Sequence, residues 1–490
     1  RTLRKPIGFD SVEPGTGLSA FKKNDRLGRG SIVLKNVLAL KEMAVDVLEP
    51  GSRQRKDKVP CHLGQNINFD LEALASFSSQ KWQPRVYDAL VVAAAVEFCD
   101  RTLARSTMNW GRRFVVRIPV HDLDKWSERA VTGALVEALN LLTGDAWHFE
   151  FHARKASAEP PAQDHMQFPS NAEAVIAYSD GMDSRAVAEL ESKRLGNRLV
   201  RVRVGSKQHD ISRKERLKIP FTALPYSVKL DDRKNTETSA RSRGFKFAVI
   251  SAMAAYLIDA PATIVPESGQ GALAPALLPV GHGYEDYRNH PAFTKLMERF
   301  VYALLDYPIQ FQFPRLWKTK GETLREFVET CGDRADWATT RSCWQQSRQA
   351  AVLGSRRQCG ICAACILRRL SVHAAGLNEA PETYVWESLS ATDFEAGAAK
   401  DFSRQTQALR EYAIAGVLHF EHLSSIREST QYGLIKRLRT NELARALAET
   451  PQTVAQNLDR LLQQHAMEWS AFTNDLGPES FVRKWIDHAS

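Results

Sequence analysis

Apolar and polar positions change rhythm three times along this 490-residue chain. In the first stretch, "RRFVVRIPV" (112–120) and "WHFEFHAR" (147–154) alternate with the period of two expected of strands. Between them, "DKWSERAVTGALVEALNLL" carries apolar residues at helical spacing, and a further helix is expected over 88–105. These elements predict a small N-terminal α+β domain, residues 1–165, closing in the linker-like "ARKASAEPPAQDHMQFPS". The second stretch, 166–385, alternates short β-rich runs with helices. The runs are "EAVIAY" (173–178), "RLVRVRV" (198–204), "ALPYSV" (223–228) and "ATIVPE" (262–267), the last following an apolar helix over 244–258. Such alternation predicts a doubly wound parallel sheet of the α/β class, whose ligands sit at the carboxyl ends of its strands. The third stretch, 386–490, has almost no β signal. "TNELARALAETPQTVAQNLDRLLQQHAMEWSAF" repeats apolar residues at i, i+3 and i+4, interrupted once by Pro451, and predicts a C-terminal helical extension.

Composition alters this picture only at the margins. Hydrophobic residues at 43% and charged residues at 25% are ordinary for a globular protein. No apolar run reaches the roughly 20 residues of a membrane span. The longest, "ALVVAAAVEF" (89–98) and "AVISAMAAYLI" (248–258), read as buried helices. The opening "RTLRKPIGFD" lacks the apolar core of a secretion signal, and it begins on Arg1 rather than Met, so native residues are expected to precede it. A net charge of +9 suits a nucleotide, a nucleic acid or an acidic protein as partner, and equally a mixed solvated surface of 66 basic and 57 acidic residues.

Cysteines change the picture more. There are seven, and Cys343, Cys359, Cys362 and Cys365 crowd into the pattern C-x15-C-x2-C-x2-C. An odd number so clustered argues for a metal site in a reducing cytoplasm rather than a secreted disulfide framework. Four thiolates satisfy tetrahedral Zn²⁺, which would then be structural; an iron–sulfur cluster or metal-free buried thiols are the alternatives. Cys61, Cys99 and Cys331 lack such spacing and are expected in the core or at the surface.

The candidate chemistry lies in "AYSDGMDSRAVAEL" (177–190), where a strand runs into a helix. Ser-Asp-Gly is good turn material, and Asp183 or Ser184 would cap the helix "RAVAELESKRL". A plain turn does not explain the full order of Ser179, Gly181, Asp183 and Ser184. Gly181 lets backbone N–H groups approach an anion, and the helix N-terminus adds free N–H donors. Ser179 and Ser184 offer hydroxyls to phosphate oxygens, and Asp183 offers a ligand to Mg²⁺. Together they would cradle the pyrophosphate leaving group of ATP.

At these residues the chain resembles the PP-loop ATP pyrophosphatases, whose signature is Ser-Gly-Gly-x-Asp-Ser after the first strand; Asp180 stands where that family usually has Gly. With C…CGxCxxC-x-x-R about 160 residues later, residues 170–380 resemble QueC, the 7-cyano-7-deazaguanine synthases. The likeness extends to "GSKQHD" (Gln208, His209), "ARSRGF" (Arg241, Phe245), "EDYRNHPAF" (Arg288) and "FPRLWKTKGETL" with "TTRSCW" (Lys320, Cys343). It implies nucleotide binding by Ser179, Asp180, Gly181, Met182, Asp183, Ser184, Gln208 and His209, and catalysis by Asp183, Ser184, Arg241 and Lys320. Glu267 and Gln270 of "PESGQGAL", together with Arg288, are the candidates for reading the substrate. It also implies ATP and Mg²⁺ as cofactors beside Zn²⁺. The implied reaction is adenylation of the carboxylate of 7-carboxy-7-deazaguanine, releasing pyrophosphate, followed by attack of an amine.

The extensions on both sides make the chain similar to the long QueC-like proteins of bacterial antiviral operons, of the QatC type or associated with CBASS systems. That likeness implies a protein acceptor from the same operon as an expected partner. The extensions serve equally well to stabilise the fold or to form a homodimer. Two other functions stay open: a tRNA-modifying PP-loop enzyme, which the positive charge favours, and a non-catalytic nucleotide-binding module, which Asp180 keeps in view.

Overall fold

The computed structural model describes residues 40–69, 81–106, 109–157, 171–179, 181–204, 221–224, 226–230, 236–278, 283–345 and 350–489. Strands β1 (Lys41–Leu48), β2 (Val59–His62) and β3 (Ile67–Phe69) precede helix α1 (Pro84–Thr102). Strand β4 (Arg112–Val120), helix α2 (Arg129–Thr143) and strand β5 (Ala146–Ala153) follow. A four-stranded sheet forms in the order β2-β1-β4-β5, with every pairing parallel. The N-terminal region is thus an α/β layer rather than the α+β arrangement expected. The reason is topological: a helix joining two neighbouring strands of one sheet makes a crossover, which returns the second strand parallel to the first.

The second sheet contains β6 (Ala174–Tyr178), β7 (Leu199–Val204), β8 (Phe221–Leu224), β10 (Ala262–Ile264) and β11 (Gln310–Gln312). Its order is β11-β10-β6-β7-β8, again parallel throughout. Connections from β6 run one way and those from β10 the other, so the switch point lies between these two central strands. The stretch read as one strand over 223–228 is divided. Its first part closes this sheet, while β9 (Tyr226–Val228) pairs antiparallel with β3. Pro225, which has no N–H to donate to a ladder, stands between the two.

Helix α3 (Met182–Leu195) follows β6, and α4 (Arg243–Leu257) precedes β10. Helix α5 (Pro291–Leu305) leads to β11, and α6 (Lys320–Cys331) and α7 (Ala363–Ala374) come after it. Helices α1 and α2 from the first sheet meet α4 and α5 from the second, so one continuous apolar core lies between the sheets. The predicted apolar helices at 88–105 and 244–258 are those two central layers, and α1 is buried over most of its circumference. On the far face of the second sheet, α3 packs against α6, and α6 against α7.

The last region is helical, as its periodicity predicts: α8 (Gln407–Ser425), α9 (Tyr432–Leu447), α10 (Pro451–Asp475) and α11 (Phe481–Ala489). Pro451 interrupts by starting a helix. Thr450 caps α10 with its side chain, and Pro451 takes a first-turn position, where no N–H is needed. The apolar cluster around the cysteines runs on without a break into α8, α10 and α11. Among the described residues, no helix is long and apolar enough to cross a membrane.

Candidate active site

Where β6 ends, the chain turns at Ser179 and enters α3 through Gly181. The hub is the Ser184 hydroxyl. It accepts from the Ser179 N–H at 3.1 Å, lies 2.9 Å from the Ser179 hydroxyl, and faces the carbonyls of Ser179 (3.0 Å) and Gly181 (3.1 Å). The Gly181 N–H donates to the Ser179 hydroxyl at 3.1 Å. Gly181 has φ −75°, so its lack of a side chain is not a matter of backbone strain. A Cβ there would lie 3.1 Å from the Ser179 Oγ and 3.9 Å from the Arg341 carbonyl, filling the hollow of the loop. No side chain among the described residues caps α3, which leaves its first-turn amides as donors for an anion.

Asp183, in the first turn of α3, joins this loop to the rest of the site. One carboxylate oxygen pairs with Lys320 Nζ, while Oδ1 is buried without a partner among the described residues. A carboxylate oxygen left so is an acceptor that a bound cation or a ligand hydrogen-bond donor can engage. Lys320 reaches it from the first turn of α6, whose start is built as a capping box. The Thr319 hydroxyl accepts from the Glu322 N–H, and the Glu322 carboxylate accepts from the Thr319 N–H.

Across the switch point, after β10, Glu267 closes the opposite wall. Burial and the nearby Asp183 carboxylate push its carboxyl up to about 8, against the opposing pull of Lys320 and Arg288. Asn289 Nδ2 donates to it at 2.9 Å. The side chain lies so close over Gly271 that a Cβ there would meet its Oε1 at 2.1 Å. At neutral pH this group is largely protonated and can donate a hydrogen bond. A serine loop, an acid–lysine pair and a neutral carboxyl therefore converge at the carboxyl end of a parallel sheet, where an open α/β fold binds its ligands.

Ser179, Gly181, Asp183, Ser184, Lys320 and Glu267 are thus brought together. The other candidates stand differently. Asp180, Gln208 and His209 lie outside the described residues. Met182 is buried against Leu324, Phe327 and Val372, where it anchors α3 on α6 instead of facing the loop. Arg241 is drawn between the two sheets. It donates to the Tyr284 carbonyl at 2.7 Å, lies 3.4 Å from Asp286 and sits over the Trp110 ring at 4.9 Å. Arg288 pairs with Asp286 at 2.6 Å and borders the site from there. Gln270 is buried, and both ends of its amide are committed inside the protein, to the Lys320 N–H at 2.8 Å and to His465 at 2.9 Å. Sequence reasoning missed Asn289 and His465. The sequence gives no sign of either, because each matters only through a residue distant in the chain.

The four cysteines form one site, their sulfurs all within 4.8 Å of one another. Cys359 and Cys365 are 3.8 Å apart, the edge of a sulfur tetrahedron around zinc at about 2.3 Å. The Cys343 thiol is held well below the usual range by hydrogen bonds with Cys359, Cys362 and Cys365, which gives it thiolate character. Three of the four are fully buried, and protein sulfurs fill all four positions, so the donor set fits a structural metal. Arg368, one turn past the last of them, is buried with its guanidinium on Glu379 (2.6 Å) and the Thr340 hydroxyl (2.7 Å). The cluster and Arg368 together hold residues 340–343, and with them the Arg341 carbonyl that borders Gly181.

The family model described as queuosine biosynthesis protein QueC matches residues 279–376. That is about a fifth of the chain, containing Arg288, Lys320 and all four cysteines but not the loop at 179–184. No curated protein matches the chain. Residues 279–376 are therefore a QueC-like segment, set in a mixed α/β fold with parallel sheets.

Proposed function

We propose that the chain is an ATP-dependent ligase of QueC type. In this reading it adenylates the carboxylate of 7-carboxy-7-deazaguanine or a close analogue, with release of pyrophosphate. The observation that carries it is the Asp183 oxygen that has no partner among the described residues, set beside the serine loop and Lys320. The first-turn amides of α3 and the hydroxyls of Ser179 and Ser184 bind the departing phosphates. Lys320 neutralises charge as it develops on the leaving group, and Asp183 orients that lysine. Mg²⁺, when bound, adds further charge neutralisation at the phosphates, with Asp183 Oδ1 as its protein ligand. Glu267, protonated, donates to the acid substrate or its ring and excludes a second negative charge from the wall. Arg288 contributes cationic charge at the rim. An activated carboxylate held in this way is open to whichever amine the site admits.

For the acceptor we favour an amine on a protein partner encoded nearby, as part of bacterial antiviral defence in the cytoplasm. The two extensions give room for such docking. The supporting observation is indirect: a minimal enzyme using free ammonia needs neither of them. Zn²⁺ at Cys343, Cys359, Cys362 and Cys365 completes the cofactor set with ATP and Mg²⁺, in a structural role.

The test is to incubate the purified chain with ATP, Mg²⁺ and 7-carboxy-7-deazaguanine, measuring pyrophosphate release and the mass of the products with and without the neighbouring gene product. Acid-dependent pyrophosphate release is expected, with mass added to the partner. No acid-dependent release would refute the ligase, and nitrile or free amide alone would refute the protein acceptor. Release stimulated by tRNA instead would favour a tRNA-modifying enzyme. Elemental analysis should find one zinc per chain.

A further inference from the structure

The C-terminal helices do more than cover the sheet. The Lys320 N–H donates to Gln270 Oε1 at 2.8 Å, and Gln270 Nε2 lies 2.9 Å from His465 Nδ1 on α10. His465 Nε2 lies 3.0 Å from the Phe420 carbonyl on α8. A carbonyl only accepts, so Nε2 carries the ring proton and Nδ1 accepts from Gln270. The direction of every bond in the chain Lys320–Gln270–His465–Phe420 is then fixed, and all four groups are satisfied away from water.

Two further ties lie beside this one. The Thr319 hydroxyl donates to Glu468 Oε1 at 2.7 Å, and Arg460 donates to the Trp317 carbonyl at 2.7 Å and to Glu322 at 2.9 Å. Thr319 and Glu322 are the capping box that starts α6, so α10 holds the same turn that carries Lys320. Glycines admit this approach. A Cβ at Gly269 would lie 2.4 Å from the Leu461 side chain, and one at Gly321 would meet Ala374 at 2.7 Å and Glu468 at 3.3 Å.

We infer that helix α10 is part of the machinery of this site: His465, acting through Gln270, is a positioning residue that sets the first turn of α6 and so holds Lys320 on Asp183. The inference rests on the reading of Lys320 as the residue facing the phosphates, but its main test does not need that chemistry. A histidine in a merely space-filling role would need only its volume, whereas a positioning role needs the acceptor at Nδ1.

The experiment uses the full chain with His465→Leu, which keeps bulk but cannot accept, and His465→Asn, whose side-chain oxygen can take the place of Nδ1. Amine labelling of native protein, followed by peptide mass spectrometry, reads the exposure of Lys320, with Lys125 as a distant control. Labelling of Lys320 should rise roughly tenfold in His465→Leu, the scale set by one buried donor losing its partner, and return towards wild type in His465→Asn. Pyrophosphate release should fall in parallel through kcat, with KM for ATP nearly unchanged. Equal protection of Lys320 in wild type and His465→Leu, or equal loss of it in both variants, would overturn the inference. If wild type releases no pyrophosphate, the proposed function fails while the labelling still decides the relay. Should His465→Leu not fold, Gln270→Met breaks the bond to His465 together with the one from the Lys320 N–H and is read in the same way.

Discussion

The two parallel sheets share one apolar core, and a buried charge cluster stands at one end of each; the two clusters are treated in opposite ways. In the first sheet one cluster sits at the amino end, where β4 and β5 begin, and it is fully satisfied. Arg112 is completely buried and its five N–H donors all find acceptors. They are Asp145 from Nε (3.1 Å), Asp100 (2.6 Å) and Asp145 (2.7 Å) from Nη2, and the carbonyls of Asp100 (2.8 Å) and Leu103 (2.6 Å) from Nη1. Arg105 adds a second guanidinium on Asp145 at 2.8 Å, and Asp100 also accepts from the Ser242 N–H, tying the lock to the segment before α4. In the second sheet a polar cluster gathers at the carboxyl end with spare capacity among the described residues: an Asp183 oxygen without a partner, first-turn amides with no side-chain cap, and a carboxyl whose proton is held by burial. Two buried charge clusters of similar appearance therefore differ in whether the protein completes them. The completed one is architecture, and the incomplete one is where the proposed function places a ligand.

The strongest way to test that difference is to break each cluster and read both stability and chemistry. Arg112→Met leaves two buried carboxylates short of a partner and should lower the unfolding free energy by about 3–5 kcal/mol in denaturant titration. A loss below about 1 kcal/mol would mean that the lock is not structural. Asp183→Asn should do the reverse. Pyrophosphate release should fall by about 10²–10³, as when one preorganised charge-stabilising group is removed, while the unfolding midpoint stays near that of wild type.

Glu267 sharpens the comparison through pH. Its folded value of about 8 lies above its ordinary 4.5, so the folded state holds the proton more tightly than the unfolded chain. That contribution is complete below the ordinary value and is lost as pH rises towards 8. Relative to wild type, Glu267→Gln should therefore gain stability between about pH 5 and pH 8 and level off above that, and a flat difference throughout would mean the carboxyl is not held neutral. The smallest effect is expected at Arg299–Glu137, an exposed pair 2.9 Å apart that bridges α5 and α2. Arg299→Ala should cost no more than about 0.5 kcal/mol, since solvent screens both groups.

Much of this was legible in the chain. Period-two runs located β4 and β5, short β-rich runs located β6, β7, β8 with β9, and β10, while β1, β2, β3 and β11 were not read from the sequence; the two apolar helices declared themselves buried by being apolar on every face. The thiol spacing alone defined the four-sulfur site. Ser179, Gly181, Asp183 and Ser184 could be picked out because the candidate phosphate cradle is local: its donors come from one turn and the helix it starts. Lys320 was found through family resemblance and Glu267 by its place just after a predicted strand, and nothing in their own neighbourhoods says that they face Asp183.

What the sequence determined by itself was what short-range order fixes: the type of the strongly patterned elements, the loop, and the four thiols of the candidate metal site. The tertiary structure alone decided which groups are completed and which are left open, because that depends on partners distant in the chain. Arg112 needs Asp145, Asp183 needs Lys320, and Lys320 is steadied by His465, 145 residues further on. Gln270 illustrates the limit. By residue type and position it suited a ligand-reading role, yet packing against α10 placed an acceptor beside its amide and turned it inward. A buried amide takes whichever partners the fold provides, since leaving it unpaired costs more than any preference written in its own segment.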